Sequence, residues 1–122
     1  MQRKLLHAQL FVLVILGILD ITLGIGFDFY RAIWWWDIPA HLLGGLWAGF
    51  FGAWLLVLRR GRPLLLYCIG AAIVLGIAWE LFEVVSGLTH FPADTLDTVK
   101  DIFIDVVGGA AAGYRVAHIK RI

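Results

Sequence analysis

Asp37 and His41 stand four residues apart in the stretch WDIPAHLLGG, at the head of a long apolar run. On a helix that spacing puts a carboxylate and an imidazole on one face. Glu80 and Glu83, in WELFE, are three apart and are neighbours on a helix in the same way. Asp97, Asp101 and Asp105 recur every fourth residue, on a stripe that Gly108 and Gly109 approximately continue. Carboxylates with an imidazole form the donor sets of divalent-cation sites. Oxygen-rich sets suit magnesium, manganese or calcium, and His41 admits zinc or iron. A cation held there can activate water or polarise a phosphoryl or ester oxygen. Asp37, His41, Asp101 and Asp105 are the candidate metal ligands, and Glu80 and Glu83 the candidate catalytic bases. No Ser or Cys nucleophile with a partnered base is evident, since Ser86 lies close but has no relay.

These residues need elements to carry them. The 122 residues are 61% hydrophobic, with a mean hydropathy of +0.89. A soluble domain lacks the interior to hide that much apolar surface, so the class is all-α integral membrane, with 1–122 as one domain. A membrane-spanning helix needs roughly 20 apolar residues. Four helices are expected, over about 5–25, 39–58, 64–88 and 96–116. The last is the least apolar because Asp105 interrupts it; Asp94 can cap it and Asp97 suits its first turn. The first run is long for a secretory signal, and no convincing small-residue cleavage site follows it, so it reads as a retained helix. No zinc-finger pair, phosphate loop or basic nucleic-acid patch is present, and no nucleic-acid partner is expected.

Charge orients the bundle. Arg3 and Lys4, then Arg59, Arg60 and Arg62, then Arg115, Lys120 and Arg121 fall on one side of a four-helix topology. Only Arg31 and Lys100 fall on the other. The positive-inside rule therefore puts both termini of this multi-pass chain in the cytoplasm. All nine acids, Asp20, Asp28, Asp37, Glu80, Glu83, Asp94, Asp97, Asp101 and Asp105, map to the outer half.

Depth brings the candidates together. At about 1.5 Å per residue, His41, Glu83, Glu80 and Asp105 lie within about two turns of the outer boundary, and Asp20 comes near the same level. An ionised carboxylate in hydrocarbon costs about 2.5–3.5 kcal/mol or more, so these groups are expected to face inward and to meet. So many acids cannot all stay ionised beside so few cations. Either several carboxyls keep their protons, or a metal cation sits among them.

Plainer roles compete for the same residues. Asp37 can cap the second helix, with Pro39 in its first turn, and His41 can simply pair with Asp37. Glu83 is close enough to the boundary to be solvated. Gly45 with Gly49 and Gly109 with Gly113 are small-xxx-small pairs that let helices approach. Trp34, Trp35 and Trp36, with Tyr30 and Phe27, read as an outer aromatic belt. Cys68, the one cysteine, reads as a packing thiol, and His90, His7 and His118 as bystanders.

The ordered set of Asp37 with His41, Glu80 with Glu83, and Asp101, Asp105, Gly108 and Gly109 resembles the VanZ-like membrane proteins and related small bacterial inner-membrane families of uncharacterised function. The matching pieces run from the second helix to the last. The resemblance implies a polytopic protein of the cell envelope, in a bacterial or archaeal cytoplasmic (inner) membrane. An arginine common in VanZ-like proteins between the glutamate helix and the final aspartates has no counterpart here, where only Lys100 stands.

Three functions stay open on these residues. The first is a metal-dependent hydrolase acting on a membrane lipid or lipid-linked substrate. The second is a scaffold or complex subunit fixed by a polar network. The third is a proton or cation transporter, whose missing inner-half polar steps a homo-oligomer can supply.

Overall fold

The computed structural model describes residues 2–26, 35–58, 65–87 and 92–119. Every element within them is helical. Helix α1 (Gln2–Gly17) runs on into a π-helical stretch, Ile18–Gly26; α2 is Asp37–Leu58, α3 is Leu65–Val85 and α4 is Thr95–Ile119. Three helical runs, Arg3–Thr22, Asp37–Leu56 and Leu65–Val85, are long and apolar enough to cross a membrane. Helix α4 is not among the three, because Asp97, Lys100, Asp101 and Asp105 all fall in its first eleven residues.

The boundaries follow local chemistry. Helix α3 stops at Val85, short of the expected 88, because Gly87 turns left-handed at φ 75° and its N–H caps the Val84 carbonyl. Helix α2 starts at Asp37, two residues before the expected Pro39, after a turn closed by Ile38 N–H on the Trp35 carbonyl. Asp94 takes the N-cap place of α4, its carbonyl accepting from Thr98 N–H at 3.0 Å.

The helices alternate in direction. Gly45 meets Asp105, and Gly49 meets Gly109 and Ala112, so α2 and α4 run parallel. Gly76 also meets Asp105, and Gly113 meets Leu65, so α3 runs against both. Leu5 of α1 joins Val116 of α4 in the core cluster, with Val12, Phe50, Ala53, Cys68 and Ala112, which sets α1 antiparallel to α4. The first and last described residues therefore share one end of the bundle. Helix α4 is central, packed on α2 and α3, while α1 packs chiefly on α2. Outward faces carry exposed Phe11, Val14, Val74 and Phe103, surfaces suited to lipid.

Small residues set the closest crossing. A Cβ on Gly108 would collide with the Leu42 carbonyl, and one on Gly45 with the backbone of Asp105. Bare backbone on both sides lets α2 and α4 touch. Of the expected aromatic belt the described residues include Trp35, which is exposed, and Trp36, which is buried, their rings 6.1 Å apart. Phe27, Asp28, Tyr30, Arg31, Trp34, Arg59, Arg60, Arg62, His90, Lys120 and Arg121 lie outside the described residues.

Candidate metal centre

His41 lies at the centre of the far end of the bundle. Its position in the first turns of α2 points the ring at α4. Nδ1 is 3.2 Å from Asp105 Oδ1. Nε2 is 3.3 Å from Asp101 Oδ2 and 3.5 Å from Asp37 Oδ1. Asp105 and Asp101 are buried, on the stripe of α4 that continues as Gly108, Gly109, Ala112 and Val116. Room for Asp105 comes from α3, where its other oxygen takes the space that a Cβ on Gly76 would fill.

Helix α3 contributes the glutamates. Its buried face repeats every four residues as Cys68, Ala72, Gly76 and Glu80. Glu80 is therefore carried inward, and its Oε2 accepts from Thr98 Oγ1 of α4 at 3.3 Å. Its Oε1 is buried with no hydrogen-bond partner. Glu83, one turn nearer the helix end, accepts from the exposed indole Nε1 of Trp79 at 3.1 Å.

Two donor sets emerge, one formed by Asp37, His41 and Asp101, the other by Glu80, Glu83 and Asp101; within each, one donor atom per residue lies within 4.8 Å of the others. Asp101 belongs to both. Ligands about 2.1 Å from a common cation stand roughly 3.0–3.4 Å apart at octahedral to tetrahedral angles. The 3.3 and 3.5 Å separations around His41 Nε2 are close to that spacing. Asp105, also among the expected ligands, lies on the other side of the ring. It holds the opposite ring nitrogen, as carboxylates do behind metal-bound histidines, where they fix tautomer and ring orientation.

Lys100 is the site residue that spacing alone did not single out. Its Nζ is 3.0 Å from Asp97 Oδ1, 3.5 Å from Asp37 Oδ2 and 3.6 Å from Asp101 Oδ1. Asp97 leaves the proposed stripe, with its side chain 59% exposed. Asp97 stands in the first turn of α4, where its carboxylate pairs with Lys100 outside the packed face. Thr98, three before Asp101, keeps to that face, and an i, i+3, i+7 reading through Asp105 marks it. Asp20 lies in the π-helical stretch, half-buried. The cluster thus gathers the carboxylates of Asp37, Glu80, Glu83, Asp97, Asp101 and Asp105 around the Lys100 ammonium and the His41 imidazole.

A family model described as "Predicted membrane protein (DUF2238)" matches residues 2–121. The chain belongs to this family. No curated protein and no solved structure matches the sequence. DUF2238 membership makes the chain a membrane protein, and the chemistry of its polar end has to be argued from the side chains themselves.

Proposed function

We propose that this DUF2238 protein is a four-span, multi-pass protein of a bacterial or archaeal cytoplasmic membrane, with both termini in the cytoplasm, and that its Asp/Glu/His end holds a divalent cation for hydrolysis at the head group of a lipid or lipid-linked envelope precursor. Asp37, His41 and Asp101 are the ligands in this reading, and Asp105 orients His41. Glu80 and Glu83 stand one carboxylate away and take up the proton of the attacking water. The observation that carries the proposal is His41, held on one nitrogen by Asp105 and turned with the other into two carboxylates at ligand-like separations.

Other features support the setting. Helix α4 has 25 residues, about 37 Å, enough to cross a bilayer despite its acids. The cations Arg3, Lys4 and Arg115 sit at the end opposite the cluster, consistent with a cytoplasmic base. The likeness to VanZ-like proteins agrees with an envelope role. Helix packing leaves Glu80 and Asp101 oxygens that a cation can satisfy.

The experiment is a hydrolysis assay in proteoliposomes carrying a panel of phospholipids and lipid diphosphates, with each of magnesium, manganese, zinc, iron and calcium. Release of head group or phosphate with one preferred cation, lost in His41→Ala and in Glu80→Gln, is the expected result. No turnover with any cation across that panel would remove the enzymatic part. Lys100 favours a second reading, a structural ion network in a scaffold or complex subunit, because it already meets three of the acids. Transport has less support, since the described acids are confined to one half of the bundle.

A further inference from the structure

The opposite end of the bundle has a groove of about 660 Å³ beside α1, which packs chiefly on α2. Lys4 and His7 of α1 and Arg115 of α4 line it, all three exposed. Its walls are apolar, with Phe11 and Ile15 from α1 and Phe50 from α2 among them. No acid lines it among the described residues.

We propose that this groove binds one anionic phospholipid. The phosphate pairs with Lys4 and Arg115, and an acyl chain lies along Phe11, Ile15 and Phe50. Three observations select that occupant. The volume is within the roughly 300–1,000 Å³ range of ligand sites. From Lys4 to Ile15 the groove follows α1 for about 16 Å, far deeper than a head group reaches, so the occupant carries a chain. The cations come from the two ends of the sequence and converge at one mouth, the arrangement of basic pockets that take anionic head groups between helices. A second copy of the chain fits poorly. In a parallel neighbour the described acids sit at the other end, with none at this depth to meet Lys4 and Arg115.

The test uses the full chain, delipidated in mild detergent and returned to nanodiscs of phosphatidylcholine doped with phosphatidylglycerol. Retained lipid is read by native mass spectrometry. Wild type is expected to prefer phosphatidylglycerol over phosphatidylcholine by about 30-fold, the factor that two basic side chains supply at a membrane surface. Lys4→Gln with Arg115→Gln should abolish the preference while leaving chain-dependent retention. Ala8→Phe, which fills the groove, should remove retention of both lipids. Glycerol phosphate should not compete, because it has no chain. A wild type with equal retention of both lipids overturns the proposal, as does a preference that survives the double substitution. Competition by glycerol phosphate, or a dimer that Ala8→Phe dissociates, also overturns it. An unchanged thermal transition in both variants separates loss of lipid from loss of fold.

Discussion

The two halves of α4 face the same neighbours with opposite chemistry. From Thr98 to Asp105 its inward stripe offers a hydroxyl and two carboxylates, and α2 and α3 answer with His41 and Glu80. From Gly108 to Val116 the stripe has only Gly, Ala and Val, and the neighbours answer with bare backbone and apolar side chains. In the second half, closeness itself is the stabilising term, through van der Waals contact between helices. In the first half, closeness is a liability unless charge is balanced, because acids brought together in a low dielectric repel and lose water. The polar half therefore has a requirement that packing alone does not meet, and that requirement points to a ligand.

Substitutions in the two halves sharpen the contrast. The largest effect is expected from His41→Ala, which leaves buried Asp101 and Asp105 facing each other across an empty space. Removing one partner of a buried ionic group costs about 3–5 kcal/mol, read as a loss of thermal stability in detergent. Gly108→Leu comes next, because its side chain would enter the Leu42 carbonyl. Overpacking of this kind costs about 1–3 kcal/mol. Gly70→Leu in α3 is the control, since nothing lies within 4 Å of a Cβ there, and it should shift stability by less than about 0.5 kcal/mol. Equal effects at Gly108 and Gly70 would break the packing account of the second half.

Smaller effects test how the polar half is wired. Thr98→Val removes the hydrogen bond to Glu80 and should cost about 1 kcal/mol. Lys100→Gln should cost under about 1 kcal/mol, because the lysine is 39% exposed and its pairs are screened. Its more telling effect is on binding. Losing a positive charge beside Asp37 and Asp101 should tighten a divalent cation several-fold in calorimetric titration. If Lys100→Gln instead leaves the cluster unable to fold, the network is held by the lysine and the metal reading weakens.

Much of this architecture was legible in the chain. Long apolar runs announced the helices, and acids confined to one half announced a polar end. The convergence of His41, Asp101, Asp105 and Glu80 followed from depth, because a carboxylate in a spanning helix has few places to go except inward. The expected 64–88 missed the left-handed turn at Gly87, which a glycine two residues after an apolar run could have signalled. Every-fourth spacing of Asp97, Asp101 and Asp105 overstated the stripe, since Asp97 is exposed in the first turn of α4 and pairs with Lys100. The side of the His41 ring that each of Asp101 and Asp105 takes was not legible. It depends on which nitrogen of one ring each carboxylate faces, and spacing along a helix carries no such information.

The central claim is that the polar end holds a divalent cation, and metal content tests it most directly. Protein purified in mild detergent should contain one preferred divalent cation at about one per chain, by mass spectrometry of the elements. Chelation should lower its thermal transition, that cation alone should restore it, and His41→Ala should abolish both responses. Protein that contains no stoichiometric cation, with a thermal transition unchanged by chelator from about pH 6 to 8, would contradict the account and leave a network of shared protons in its place.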